Sequence, residues 1–198
     1  MSVVLFEEFV LPEIDRREVL RYMGCKESDA EIDALIDRAI EISKGAFCGK
    51  VCFCELPLSI VGEQIEIGTV RIQSKNLLKN LDGCKTVILF GATVGIEIDR
   101  LIMRYGKVSP SLAVCLQALG AERIEALCDL FCADTARRQG LQGKCLRPRF
   151  SPGYGDFPLK AQKEIFAMLG CDRRIGLTLN DSLIMSPTKS VTAIIGIY

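Results

Sequence analysis

The chain has 198 residues; 49% of them are hydrophobic, 25% are charged, and 25 basic residues balance 25 acidic ones. These values are typical of a globular domain with a substantial core and exclude a disordered chain. Zero net charge without a basic cluster argues against nucleic-acid binding. No apolar run approaches the roughly 20 residues that span a bilayer, and residues 1–10 lack the basic leader of a signal peptide. We therefore expect a cytoplasmic protein that binds neither nucleic acid nor membrane.

Ten cysteines raise the question of a disulfide or metal site. No secretion signal indicates an oxidising compartment, and no C-x-x-C pair occurs. The densest group, Cys48-x-x-x-Cys52-x-Cys54, supplies part of an iron–sulfur ligand set, but no fourth ligand follows at a familiar spacing. Because free cysteine often behaves as a small buried hydrophobe, buried thiols are favoured and no metal ligand is predicted.

The sequence contains no histidine. This excludes Ser-His-Asp and Cys-His catalysis, histidine-ligated zinc, and an imidazole ligand to a corrinoid. Any chemistry must therefore depend on something other than a histidine acid or base.

The first ninety residues predict strands and short helices. Residues 3–11 form an apolar, β-prone run. Asp15 with Glu18, and Ser28 with Glu31, have the spacing of capping boxes, and Gly24 is the expected end of the first helix. Short strands are predicted over residues 51–56 and 60–72, and Ser74 caps a brief helix.

The strand over residues 86–90 is the clearest in the sequence. It precedes a glycine turn at residues 91–95, which we interpret as packing of strand on helix because it lacks both dinucleotide and P-loop signatures. Ser109-Pro110 opens the longest helical pattern, which runs to about residue 138. Glu125 and Asp129 share one face of that helix, ordinarily a solvated one. Residues 159–169 form a further helix, and three strands follow to residue 195.

Strands and helices occur in groups, without a linker or internal repeat. This pattern predicts an α+β fold with a single domain over residues 1–198, built on a twisted, mainly antiparallel sheet with flanking helices.

Residues 147–155, Arg-Pro-Arg-Phe-Ser-Pro-Gly-Tyr-Gly, directly follow the long helix. Proline fixes φ and removes a donor, and glycine permits conformations closed to other residues, so the segment reads as a rigid, extended loop. Composition alone favours a structural crossover over a binding loop.

Two motifs that follow one another in the sequence favour a binding loop instead. Arg149, Gly153 and Tyr154 form Arg-x-x-x-Gly-Tyr, and residues 179–187 form a Leu-Asn-Asp-Ser segment ending in Met-Ser-Pro, followed by Ser-Val-Thr at 190–192. In both, the sequence resembles the activation (reactivation) domain of cobalamin-dependent methionine synthase, in a free-standing form. The resemblance covers residues 91–195 well and residues 1–90 loosely.

The resemblance implies a shallow groove for S-adenosylmethionine with the Arg-x-x-x-Gly-Tyr loop at its edge. A guanidinium suits the methionine carboxylate, and a helix acid suits the ammonium or sulfonium. The implied ligand-binding residues are Arg149, Gly153, Tyr154 and Glu125, and no catalytic residue is implied.

Two departures bear on ligand binding. Residues 155–163 replace the Pro-Ala-Cys-Pro segment and histidine of the long enzyme, and the family's N-terminal ligand-binding aspartate has no assigned counterpart. The C-terminal ligand tyrosine lies beyond the end of this sequence, unless Tyr198 substitutes for it.

The implied function is that of an accessory component in methionine biosynthesis, rather than a self-sufficient enzyme. It supports reductive methylation of cob(II)alamin on a separate methionine synthase or other corrinoid protein, with a flavodoxin-like reductant as a further partner. Cobalamin is expected only on the partner, because this sequence has no Asp-x-His-x-x-Gly segment. The alternative is a non-catalytic docking or regulatory module that no longer binds S-adenosylmethionine. A cysteine-bound metal redox protein is a weaker third hypothesis.

Overall fold

The computed structural model describes residues 3–198. Its order of elements is β1 (Leu5–Phe9), α1 (Arg16–Met23), α2 (Ala30–Ile42), β2 (Gly49–Val61), β3 (Gln64–Ile67), β4 (Val70–Gln73), α3 (Lys75–Asn80), β5 (Thr86–Thr93), α4 (Glu97–Gly106), α5 (Pro110–Gly140), α6 (Gln162–Leu169), α7 (Cys171–Ile175), β6 (Thr178–Leu179), β7 (Met185–Ser186) and β8 (Ser190–Ile197).

The central sheet has six strands in the order β4-β3-β2-β5-β8, with β1 also paired to β2, and every pairing is antiparallel. The first part of β2 lies between β1 and β5, and its last four residues pair with β3 instead. Strands β6 and β7 form a separate two-stranded ribbon. The predicted α+β class, with an antiparallel sheet and flanking helices, is confirmed.

Both faces of the sheet are buried. Helices α1, α2, α4 and α5 pack with one face, and α3, α6 and α7 pack with the other. Strand β5 contributes to both cores: Ile88 and Phe90 lie in the first, and Val87 and Leu89 lie in the second. Its continuous apolar sequence follows from this double burial, since neither set of alternating side chains faces water.

Local sequence sets both ends of α1, but the cap of α2 is displaced and Ser109 precedes α5 without a side-chain capping hydrogen bond. Asp15 caps α1 by accepting from the N–H groups of Arg17 and Glu18, and Gly24 ends that helix with φ of +77°. The cap of α2 is Asp29, which accepts from Ile32, so the predicted Ser28 cap is wrong by one residue. Ser28 instead donates to the Asp33 carboxylate at 2.7 Å.

Two strand predictions are also wrong. Strand β2 runs unbroken through Pro57, which lies where its pairing partner changes from β5 to β3. The strand predicted over residues 51–56 and the start of the one predicted from residue 60 therefore belong to a single strand. β5 extends through Gly91 to Thr93, so the predicted glycine turn at 91–95 belongs largely to a strand. A Cβ at Gly91 would lie 3.0 Å from the Cys171 sulfur. This glycine therefore allows α7 to approach the sheet closely.

Candidate functional site

The loop after α5 is fixed along β8. Phe150 exchanges two 2.9 Å backbone hydrogen bonds with Ile194, and Leu146 forms a second antiparallel bridge with Ile197. The segment thus extends the sheet by a short irregular strand. This placement fixes the backbone of Arg149 one residue before the Phe150 bridge.

Arg149 lies against α5 and binds two of its carboxylates. Its Nη2 donates to Glu125 Oε2 at 2.5 Å and its Nη1 donates to Asp129 Oδ1 at 2.6 Å. The side chains of Arg149, Glu125 and Asp129 are 25%, 41% and 74% exposed, respectively. The face shared by Glu125 and Asp129 is therefore the face that meets the loop, and the two predicted site residues Arg149 and Glu125 are in direct contact.

Two thiols lie beneath this ion-pair cluster. Burial raises the pKa of both Cys128 and Cys132, although the charge of Arg149 acts in the opposite direction. Burial by itself would lower the pKa of Arg149, but its interactions with Cys128, Asp129 and Glu125 outweigh burial and raise that pKa. The guanidinium is therefore charged and the thiols are protonated at neutral pH.

Gly153 and Tyr154 form a tight turn beyond the Phe150 bridge. Gly153 has φ of +88°, which favours glycine, and its N–H donates to the Phe157 carbonyl at 2.8 Å. The ring of Tyr154 is 70% exposed and packs edge-to-face on Phe150, with centroids 5.5 Å apart. Tyr154 lines a shallow depression with the α3 residues Asn76, Lys79 and Asn80.

Glu125 and Asp129 also line a groove of about 470 Å³ that does not include Arg149, Gly153 or Tyr154. Its second wall is formed by the segment between β1 and α1, including Pro12 and Asp15, and by α1, which contributes Tyr22. The four predicted residues therefore do not line one cavity: Arg149 contacts Glu125, whereas Tyr154 faces α3. The groove is rich in acid groups, contributed by Glu13, Asp15, Glu18, Glu122, Glu125 and Asp129.

A buried ion pair holds the outer wall of this groove. Glu122 and Arg123 are 4% and 3% exposed and are bonded to each other. Arg123 also donates to the carbonyl oxygens of Pro12 at 2.6 Å and Glu13 at 3.0 Å, and Glu122 accepts the N–H of Asp15 at 3.1 Å. Sequence reasoning missed this role. The available signal was that Glu122 and Arg123 interrupt an apolar stretch of the helix between Ala121 and Ile124.

Asp156 anchors the loop from its other end. Its carboxylate accepts the N–H groups of Lys75 at 2.7 Å and Asn76 at 3.2 Å, together with the Ser74 hydroxyl. The Ser74 hydrogen bond is the largest cause of a lowered Asp156 pKa. A carboxylate at the start of a helix is also favoured by the helix dipole. Residue 156 lies in the segment that departs from the long enzyme, and here that segment attaches the loop to α3.

Tyr198 lies apart from Arg149. Its ring stacks under the guanidinium of Arg147, 4.2 Å from the centroid, and Arg147 in turn donates to the Asp82 carbonyl at 2.6 Å. The possible substitution of Tyr198 for the family's ligand tyrosine therefore gains no support from its contacts.

The cysteines occupy varied environments. Cys52, Cys54, Cys115, Cys128 and Cys171 are buried, and the sulfurs of Cys52 and Cys171 lie 3.7 Å apart. Cys48, the first of the dense sequence group, is exposed. Among residues 3–198, no three Cys, Asp or Glu side chains are grouped as a metal site would require. In the same range, no helix combines the length and apolar character of a membrane span.

The fold is that of a methionine synthase reactivation domain. The particular match is a crystal structure of the MetH reactivation domain bound to AdoHcy, with a TM-score of 0.75 and 16% sequence identity. It covers 98% of this chain and 78% of the other. No family model and no curated protein matches the sequence. At this identity the likeness establishes the fold.

Proposed function

We propose that this protein binds S-adenosylmethionine and supports the reductive methylation of cob(II)alamin on a separate methionine synthase or other corrinoid protein. The observation that carries the proposal is the fold shared over 98% of the chain with a reactivation domain bound to AdoHcy. The Arg149-x-x-x-Gly153-Tyr154 motif supports the proposal independently of the fold, because the motif is found in the sequence alone.

The residues present fit such a ligand. S-adenosylmethionine carries a carboxylate, an ammonium and a sulfonium, so it needs both an anion-binding group and acidic groups. Arg149 is the guanidinium that would hold the carboxylate, and Glu125 lies 2.5 Å from it on the acidic groove. Gly153 and the exposed ring of Tyr154 lie on the same rigid loop. We propose Arg149, Gly153, Tyr154 and Glu125 as the ligand-binding residues.

When bound, the sulfonium ligand supplies a methyl group, and a separate reductant supplies one electron. The work of the chain is to bind and orient the methyl donor and to present it to a corrin held by the partner. This division suits a chain without histidine, since no protein acid or base is needed. We propose a flavodoxin-like protein as the electron donor, and the cytoplasm, with methionine biosynthesis, as the setting.

A docking or regulatory module without S-adenosylmethionine binding is the second candidate. One observation favours it: Arg149 is already neutralised by the two carboxylates of Glu125 and Asp129. If these ion pairs cannot exchange for a ligand, the loop serves as a structural crossover only.

A reactivation assay separates the two candidates. Purified protein is added to an oxidised cobalamin-dependent methionine synthase that lacks its own activation domain, with S-adenosylmethionine and a one-electron reductant. Restored methyl transfer that depends on S-adenosylmethionine, and that is lost with Arg149→Ala, supports reactivation. Stable association with the synthase without restored activity supports the docking module and contradicts the proposal.

A further inference from the structure

The guanidinium of Arg149 has both of its terminal nitrogens engaged by the protein. Nη1 donates to Asp129 and Nη2 donates to Glu125, each from the α5 side. A guanidinium binds an incoming carboxylate best through two parallel N–H donors. A ligand carboxylate that approaches these two terminal nitrogens therefore competes with acceptors that the protein already supplies.

The two occupying carboxylates differ in exposure. The Asp129 side chain is 74% exposed, whereas Glu125 is 41% exposed and Arg149 is 25% exposed. Exposed ion pairs contribute little to stability, because water solvates the separated charges well. Asp129 is therefore the partner that Arg149 gives up at lower cost.

We propose that Asp129 is an internal competitor for Arg149. It occupies the guanidinium in the free protein and leaves it when a carboxylate-bearing ligand binds. The inference rests on the proposed function, in that the ligand is S-adenosylmethionine or another molecule with an amino-acid end. The exchange conserves charge, since one carboxylate replaces another, and the released Asp129 carboxylate can then face the ligand's ammonium. The site thereby favours ligands that carry both a carboxylate and a cation.

The test compares two ligands in matched variants. S-adenosylmethionine and its methyl ester share the sulfonium and the ammonium, but only the former has a free carboxylate. The ratio of the Kd for the methyl ester to the Kd for S-adenosylmethionine measures how much the free carboxylate contributes to binding. Effects of a substitution on the sulfonium and the ammonium, which both ligands carry, largely cancel in this ratio. Asp129→Asn removes the competing charge and preserves side-chain size. Asp134→Asn, on the same helix, breaks the ion pairs to Arg137 and Arg138 and serves as the control.

We expect the ratio to rise about threefold to fivefold in Asp129→Asn and to stay at the wild-type value in Asp134→Asn. An unchanged or smaller ratio in Asp129→Asn, with acid binding intact, overturns the competitor role and leaves the proposed function standing. Binding that appears only in Asp129→Asn supports the competitor role strongly. Absence of binding in both proteins overturns the proposed function and this inference with it.

A ligand-free measurement gives a second result. Phenylglyoxal modifies accessible guanidinium groups, and mass spectrometry follows the modification at Arg149. The rate is expected to rise several-fold in Asp129→Asn and to remain unchanged in Asp134→Asn. Equal rates in all three proteins would show that Asp129 does not cover Arg149 in solution.

Discussion

The guanidinium of Arg123 donates a 2.6 Å hydrogen bond to the carbonyl oxygen of Pro12, 111 residues earlier in the chain. Together with its buried partner Glu122, it ties the segment before α1 to the middle of α5. One wall of the acidic groove is thus fixed by two adjacent residues of the opposite wall.

Replacing Arg123 by methionine is expected to destabilise the protein by about 3–5 kcal/mol, because Glu122 would be left buried without its counter-ion. Urea unfolding followed by circular dichroism measures the change. Arg137→Met is the matched control: Arg137 pairs with Asp134 at an exposed position, and its loss is expected to cost under about 1 kcal/mol. Equal losses for the two variants would contradict a structural role for the buried pair.

The Asp156 anchor predicts a pH dependence. Its folded-state pKa lies below the ordinary value of 3.8, chiefly because the Ser74 hydroxyl bonds to the ionised carboxylate. The stabilisation that the Asp156 carboxylate provides is therefore fully present above its unfolded-state pKa, and it is lost as the pH falls through its lower folded-state pKa. Asp156→Asn is expected to remove this part of the acid dependence.

Thermal unfolding of wild type and Asp156→Asn, from about pH 6 down to about pH 2, measures this acid dependence. Asp82→Asn, also at an exposed acidic position, is the control for removing one charge. The gap in Tm between wild type and Asp156→Asn should narrow as the pH falls, and a gap that is constant with pH would contradict the anchor.

Gly153→Ala tests the turn that holds the loop. Its φ of +88° is strained for alanine, and an added Cβ would lie 3.1 Å from Leu159 Cδ1. Gly62→Ala is the matched control, since Gly62 also has a positive φ, of +62°, but open space around it. Both are expected to lose about 1–2 kcal/mol of unfolding free energy from backbone strain, and only Gly153→Ala should also weaken S-adenosylmethionine binding. Equal ligand affinity in the two variants would argue against a role for the turn in binding.

The cysteine thiols are expected to fall into two groups, one alkylated quickly and one slowly. Burial raises the pKa of Cys54 to about 11 and that of Cys115 to about 11, so both are protonated and covered at pH 8. Cys48 and Cys145 are exposed. Brief alkylation with iodoacetamide, mapped by mass spectrometry, is expected to modify Cys48 and Cys145 first. Rapid modification of Cys54 or Cys115 in the folded protein would contradict their burial.

Signals confined to a few neighbouring residues were predictable from sequence. Asp15 and Gly24 bound α1 because a cap depends on residues within one turn. The strand predicted over residues 51–56 stops short of Pro57, because only the paired strands show that β2 continues through it to the changeover from β5 to β3. Proline lacks a ladder donor, and a changeover tolerates that loss.

The candidate site likewise combines features that neighbouring residues predict with features that depend on contacts between distant parts of the chain. Sequence resemblance implies Arg149 and Glu125 individually as ligand-binding residues, yet their ion pair depends on the loop lying along β8. Glu122 and Arg123 could not be assigned, because their burial requires a segment more than 100 residues away to cover them. Charged residues are rarely buried unless paired, so a sequence pattern alone favours an exposed position for them.

Isothermal titration calorimetry with S-adenosylmethionine on wild type, Arg149→Ala and the control Arg137→Ala tests the proposed ligand site most directly. We expect wild type and Arg137→Ala to bind alike, and Arg149→Ala to bind at least about tenfold more weakly, as expected for loss of a charged hydrogen-bond partner. Circular dichroism would verify that all three are folded. No heat from wild type at millimolar ligand, or equal affinity of wild type and Arg149→Ala, would contradict S-adenosylmethionine binding through Arg149.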